Sequence, residues 1–408
     1  MTPEVTPEVT PGVAAGVAAG EGGPRRIWPD RVQARLDAIV DGGRWREPRE
    51  FDSLGPHGSL GGASVVSFAS NDYLGLSAHP AVIAAATVAL ERWGAGAGAS
   101  RLVTGSRPVH TELERALAAW KGTDAAICFP TGFAANLGAL SVLGGPDVRV
   151  LSDELNHASI IDGCRLSRAM CTIYRHCDTD HLSELLEAHP ATPTVVVTDT
   201  VFSMDGDAAP VEEIAALCRR HGALLLLDEA HAVLGPHLPS SLTADPDLTL
   251  VRMGTLSKTL GALGGFLAGS RGVIDLMVNL ARPYIFTTGL TPADAAAALA
   301  ALGVLRSSEG DALVQRLSDL VARVRVPGPA TPPSPIIPVI LGSEQRALEA
   351  SAALLADGLW VPAIRPPTVP VGTSRLRVTV SAAHTDEQVA KLVAALTPLR
   401  ETMLAQAL

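Results

Sequence analysis

Ala223-Leu224-Leu225-Leu226-Leu227-Asp228-Glu229-Ala230-His231 is the stretch on which the reading of this chain turns. Five apolar residues run without alternation and end at once in two acids and a histidine. A strand with one face in water alternates; a strand buried on both faces does not. Comparable short runs occur at Ala125–Cys128, Val148–Leu151 and Val195–Thr198, and another strand is expected near 248–252. Helix-like segments lie near 80–93, 107–120, 133–143 and 210–220. Strands alternating with helices in this way predict an α/β fold, with a mostly parallel central sheet covered by helices on both faces.

Ligands of open parallel sheets collect at the carboxyl ends of the strands. Asp153-Glu154-Leu155-Asn156-His157 follows one strand, Asp199 to Gly206 with Ser203 follows another, and Asp228 to His231 follows a third. Gly254-Thr255-Leu256-Ser257-Lys258-Thr259 follows the strand near 248–252, and Thr131-Gly132-Phe133 opens the helix at 133–143. Singly, each has an ordinary reading: a carboxylate after a strand caps a helix, a lysine is solvated, and His157 or His231 is a hydrogen-bonded interior residue. Their recurrence at successive strand ends points to one site. The residue types suit pyridoxal 5'-phosphate (PLP). Its aldehyde needs a lysine, its pyridine nitrogen needs a carboxylate that keeps it protonated, and its ring needs a flat partner. Its phosphate needs amides at a helix N-terminus and nearby hydroxyls.

Asp228-Glu229-Ala230-His231 followed by Thr255-Leu256-Ser257-Lys258 resembles the α-oxoamine synthases, a fold-type I PLP family. So do Ser70-Asn71-Asp72-Tyr73-Leu74-Gly75-Leu76, Thr131 to Asn136, and Asn156-His157-Ala158-Ser159. The resemblance runs from about residue 31 to 400. It implies the aspartate aminotransferase-like fold, Lys258 as the Schiff-base lysine and Asp228 as the pyridinium partner. It also implies that His157 stacks on the ring, that Ser203 and His231 bond its phenolic oxygen, and that Gly132, Phe133 and Thr255 hold the phosphate. A homodimer with shared sites is implied, in which Thr287 and Thr288 reach the phosphate of the other subunit; their ordinary reading is a capping turn before Pro292. The implied reaction is a decarboxylative condensation of an amino acid with an acyl thioester.

Ala363-Ile364-Arg365-Pro366-Pro367-Thr368-Val369-Pro370 is most like the branch that joins L-alanine to a pimeloyl thioester, carried by CoA or by acyl carrier protein. Relatives using glycine with acetyl- or succinyl-CoA differ where Arg365-Pro366-Pro367 stands. Thr368 is placed on the substrate side by this match, as is Arg46, an arginine before the first strand. One departure is a shorter, Pro-rich loop after His231, Ala232 to Pro239.

Residues 375–381 read Arg, Leu, Arg, Val, Thr, Val, Ser. Alternate side chains of a strand share a face, so Leu376, Val378 and Val380 face a core while Arg375, Arg377, Thr379 and Ser381 face away. A guanidinium fork suits a carboxylate. The family match puts Arg377 at the substrate carboxylate, with Arg375 as the fallback; a solvated strand edge is the ordinary alternative.

Composition agrees with an enzyme. The 408-residue chain is 47% hydrophobic, enough for a large core. Its net charge of −10 argues against nucleic acid as partner, since phosphate contacts need clustered Lys and Arg. Five cysteines without a C-x-x-C read as reduced thiols. No apolar run approaches the roughly 18 residues of a membrane helix, and the N-terminus lacks a signal-peptide pattern, so a cytoplasmic protein without a metal is expected. Residues 1–30 read as a disordered Pro/Gly/Ala-rich tail, 31–75 as an N-terminal segment, 76–305 as the large domain and 306–408 as a smaller α+β domain after a Pro-rich stretch. Asp-Glu-Ala-His also marks helicases, but no G-x-x-x-x-G-K-[ST] accompanies it. Gly94, Gly96 and Ala99 fit a dinucleotide fingerprint but follow a helical pattern, where a strand is required. A catalytically dead partner subunit is expected to lose its lysine, and Lys258 is present.

Overall fold

A computed structural model describes residues 26–325 and 334–407. The chain divides into two units, Met1–Glu50 and Phe51–Leu408. In the first, a helix spans Ile27–Asp41 and buries none of its residues. Residues 27–30 are therefore helical and do not belong to the expected tail; residues 1–25 lie outside the described residues, as does 326–333 of the Pro-rich stretch. Arg46 lies in this first unit and is exposed.

The second unit is built on a seven-stranded sheet. Its spatial order is Ala125–Phe129, Gly265–Gly269, Leu250–Thr255, Leu224–Asp228, Thr194–Asp199, Arg149–Asp153 and Met170–Tyr174. Gly265–Gly269 is antiparallel to both neighbours, and the other pairings are parallel. The absence of alternation has its physical counterpart here. Val195, Val197 and Leu226 enter one apolar cluster, whereas Val196, Leu225 and Leu227 enter another on the opposite face. Burying each such side chain contributes about 1.5–3 kcal/mol, so neither face tolerates a polar residue without partners. Arg149, which interrupts the run Val148–Leu151, meets that condition: it is buried and donates to the Leu185 carbonyl and the Thr194 hydroxyl.

Helices Pro80–Trp93, Pro108–Lys121, Gly132–Leu143 and Val211–His221 match the sequence expectation closely. Gly94 ends the first of them, so the glycines at 94 and 96 follow a helix and the dinucleotide reading has no strand beneath it. C-terminally, Ser374–Thr379 is the central strand of a three-stranded antiparallel sheet with Ile336–Gly342 and Ala363–Ile364. A four-stranded sheet joins Phe51–Ser53, His57–Leu60 and Ala63–Ser67 to Leu359–Trp360. The expected segment 31–75 is thus split, its strands pairing with the C-terminal region. Among the described residues no helix is long and apolar enough to cross a membrane.

Candidate active site

The parallel strands deliver their polar ends to one cavity of about 200 Å³, walled by Thr131, Gly132, Phe133, His157, Ser203, Asp228, His231, Thr255, Ser257 and Lys258 among others. Eight of the residues expected from sequence therefore meet in one place. A larger cavity of about 340 Å³ beside Asp72 and His384 lacks such convergence, because both groups are already bonded within the chain.

Asp228 closes the strand Leu224–Asp228. One carboxylate oxygen accepts the Asn136 side-chain amide at 2.7 Å, and the other accepts the Ala230 N–H at 2.9 Å. Asn136 also donates to the Ser159 hydroxyl at 2.9 Å, while its own carbonyl oxygen is buried without a partner. Asp199, at the end of the neighbouring strand, accepts the His157 N–H at 2.9 Å. Burial and the nearby Asp228 push the Asp199 carboxyl well above the usual range. His157 caps the helix Ala158–Ser167, with Nδ1 2.7 Å from the Ser159 hydroxyl, and Phe133 approaches its ring edge-on. Burial holds His157 below its ordinary value.

Lys258 stands in the turn after the strand Leu250–Thr255, its amine 2.8 Å from His231 Nε2. Burial lowers Lys258 to about 8, against Asp228 and Asp199, which favour the ammonium. Burial and the adjacent Lys258 hold His231 well below its ordinary value. Its other nitrogen, Nδ1, is hydrogen-bonded to the Tyr73 hydroxyl.

Opposite, the Thr131 hydroxyl accepts the Ala134 N–H at the start of the helix Gly132–Leu143. Thr255 donates to the Gly264 carbonyl at 2.9 Å and lies 2.8 Å from the Ser257 hydroxyl. A Cβ on Gly265 would stand 2.5 Å from Gly132 N, so only glycine lets this helix start against the sheet.

Ser203 lies on the turn Ser203–Gly206, which meets the C-terminal sheet. Gly206 has φ +66 there, and a Cβ on it would fall 2.2 Å from the Ile336 carbonyl. Arg375 and Arg377 are both buried, which overturns the solvated-edge reading. Arg375 is paired with Asp205. Arg377 donates to the Ser203 carbonyl, to Thr379 at 2.9 Å and to the Asn71 carbonyl oxygen at 3.2 Å. Among the described residues no carboxylate forms an ion pair with Arg377. The fallback arginine is therefore already neutralised, and the first choice is not. Leu376, Val378 and Val380 are fully buried, as the alternation required.

Other expected residues stand apart from the cavity. Thr287 and Thr288 are exposed, Thr288 bridging to Ser100, and the residue that caps the following helix is Thr291. Thr368 is exposed. Asn71, Tyr73, Asn136 and Asp199 had no role assigned from sequence. Three of them sit inside the quoted motifs Ser70–Leu76 and Thr131–Asn136, and Asp199 directly follows the run Val195–Thr198. Motif membership was their signal.

The family profile described as "Aminotransferase class I and II" matches residues 63–396. An 8-amino-7-oxononanoate synthase of Anaeromyxobacter dehalogenans strain 2CP-1 is 51% identical over 378 residues, covering 90% of this chain and 94% of the relative. The chain belongs to the α-oxoamine synthase branch of that family. Another 8-amino-7-oxononanoate synthase, from Burkholderia thailandensis, is 47% identical over 91% of this chain and 97% of its own length. Among solved structures, this α-oxoamine synthase superposes on the serine palmitoyltransferase of S. paucimobilis with TM-score 0.82 at 31% identity, covering 91% of this chain and 97% of the other. It shares its fold with an 8-amino-7-oxononanoate synthase from Francisella tularensis, TM-score 0.69 at 24% identity over 84% and 99% of the two chains.

The donor set of this α-oxoamine synthase fits PLP. A buried, hydrogen-bonded carboxylate (Asp228), a depressed lysine (Lys258), a flat ring (His157) and a helix N-terminus flanked by hydroxyls (Thr131, Thr255, Ser257) line one cavity. These are the partners that the pyridine nitrogen, the aldehyde, the ring face and the phosphate each require.

Proposed function

We propose that this α-oxoamine synthase condenses L-alanine with a pimeloyl thioester of CoA or acyl carrier protein, releasing carbon dioxide and the free thiol and forming 8-amino-7-oxononanoate, a step of biotin biosynthesis. The observation that carries the reading is the Lys258 amine, held at about 8 and 2.8 Å from His231, in the cavity that Asp228 walls. PLP, when bound, supplies the electron sink that makes an amino-acid Cα–H acidic.

The chain's own groups do the rest. Lys258 would hold the cofactor aldehyde, and its free amine would take up the Cα proton at Nζ; a value of about 8 keeps a useful share of free amine near neutrality. Asp228, fixed by Asn136, would face the pyridine nitrogen and keep it protonated. His157 would cover the ring. Ser203 and His231 would bond its phenolic oxygen, and Gly132, Phe133 and Thr255 would hold the phosphate. Arg377, buried without an acidic partner, would take the alanine carboxylate, and Arg375, already paired with Asp205, would hold the turn that Arg377 leans on. Arg46 and Thr368 are proposed as substrate-binding residues. The active form is proposed to be a cytoplasmic homodimer in which Thr287 and Thr288 reach the partner subunit's phosphate site.

The likeness to serine palmitoyltransferase structures, with TM-score 0.82, favours a second reading in which serine and a long-chain acyl-CoA are the substrates. Turnover of purified protein with alanine, glycine or serine, each against pimeloyl-, acetyl- and palmitoyl-CoA, separates the two. Alanine with pimeloyl-CoA should dominate. Dominance of serine with palmitoyl-CoA would establish the second reading.

A further inference from the structure

The wall of the cavity continues into the protein as a line of hydrogen-bonding groups. Lys258 Nζ is 2.8 Å from His231 Nε2. His231 Nδ1 is bonded to the Tyr73 hydroxyl, which in turn donates to the Asn71 carbonyl oxygen at 3.2 Å. Arg377 donates to that same oxygen at 3.2 Å. Tyr73 is fully buried, and His231 and Arg377 nearly so. The line thus joins the lysine proposed to move the Cα proton to the arginine proposed to bind the carboxylate.

Tyr73 has one proton and two acceptors within reach. Burial keeps the imidazole of His231 from taking two protons, so exactly one of its nitrogens carries hydrogen. When Lys258 is an ammonium, Nε2 must accept, Nδ1 must carry the hydrogen, and the Tyr73 oxygen is the acceptor it meets; the tyrosine proton then goes to Asn71. When Lys258 is a free amine, its lone pair is open to Nε2–H; in that arrangement Nδ1 is bare and Tyr73 turns its proton to the histidine. One proton on Lys258 is therefore matched to one tautomer of His231 and one orientation of the Tyr73 hydroxyl.

We propose that Tyr73 is a positioning residue that sets the tautomer of His231 and, through it, the proton affinity of Lys258. The inference rests on the reading of Lys258 and His231 as the pair that faces the cofactor. The charged and titratable groups facing the pair are Asp228 and Asp199, which favour the ammonium, and Arg377 and His157, which oppose charge here. Tyr73→Phe leaves all four in place. What it removes is the acceptor for Nδ1–H, together with a hydrogen bond between Arg377 and the Tyr73 oxygen, whose loss leaves the guanidinium charge in place. An orphaned buried N–H is rarer and more costly than an under-used acceptor. The variant should therefore favour the Nε2–H tautomer and so the free amine.

The test follows the rate at which PLP combines with the cofactor-free full-length chain, read by visible absorption across pH. The Lys258 midpoint should fall by about one unit in Tyr73→Phe, a tenfold loss of proton affinity. In wild-type protein, the ring nitrogens of His231 seen by ¹⁵N NMR should exchange tautomer as Lys258 titrates, a signal that is available even where the variant fails to fold. An unmoved midpoint with the PLP adduct mapped to Lys258, or a wild-type His231 that keeps one tautomer throughout, overturns the inference alone. An adduct mapped to a different lysine overturns the site assignment and the inference with it.

Discussion

Asn136 holds Asp228 by a 2.7 Å hydrogen bond that reaches from the helix Gly132–Leu143 to a strand end 92 residues later. A bond to a charged group contributes about 1.5–3 kcal/mol. Losing it leaves the carboxylate with the Ala230 N–H alone and free to rotate. Asn136→Ala should therefore slow alanine Cα–H exchange by about tenfold, and Asp228→Asn, which removes the charge itself, by about 10–100-fold, with PLP retained in both. Exchange into deuterium oxide followed by proton NMR measures this; wild-type exchange in Asp228→Asn would remove the carboxylate from its role.

Lys258 is expected to carry the borohydride-trapped PLP adduct on peptide mapping. It should also cost the cofactor-free protein stability. Its amine sits at about 8 when folded, against an ordinary 10.5. Below pH 8 both states are protonated and the full penalty of burying the ammonium is present. Between pH 8 and 10.5 the unfolded chain binds more protons, so stability climbs with pH. Lys258→Met should raise Tm at pH 7, and its advantage should shrink as pH passes from 8 to 10.5. An advantage independent of pH would show that packing, not charge, is responsible.

His176 behaves in the opposite sense. Burial disfavours its charged form, but bonds to Asp153 at 2.9 Å and Asp207 at 2.7 Å override this and push it up to about 12. Its stabilisation is complete below its ordinary 6.5 and drains away as pH rises toward 12. His176→Gln should lower Tm most near pH 6, with a smaller deficit at pH 9. Thermal unfolding at the two pH values checks the trend, and an equal or larger deficit at pH 9 would contradict it.

Arg377→Lys removes a planar fork that a lysine cannot reproduce. It should raise the alanine KM by about 10–100-fold and move the thioester KM far less. Arg375→Lys loosens the contact with Asp205 and should act mainly on Tm. Steady-state kinetics on both variants decide the assignment; an alanine KM that rises in Arg375→Lys and not in Arg377→Lys would exchange the roles.

Thr288→Ala is expected to weaken PLP retention under dialysis without lowering the Tm of the cofactor-free protein, because its side chain is exposed and supports no core. Light scattering should return a dimer. A fully active monomer would end the shared-site proposal.

The sequence by itself determined the sheet and the residues at its edge. Runs such as Leu224–Leu227 can satisfy their hydrophobicity only when covered on both faces, and chain direction alone then sends Asp228, Asp199, Asp153 and the turn with Lys258 to one end. The alternation at 375–381 placed Leu376, Val378 and Val380 in a core for the same local reason. What lay beyond it were relations between distant parts of the chain. Nothing near Arg375 or Arg377 in sequence says which one meets an acid; Asp205 decides that, and it arrives from a turn 170 residues away. Tyr73 reaches His231 across 158 residues, and the lowered Lys258 exists only because the fold removes water from around it. Local patterns encode which face a side chain takes; partners, burial and proton affinity are properties of the packed chain, and only the tertiary structure decides them.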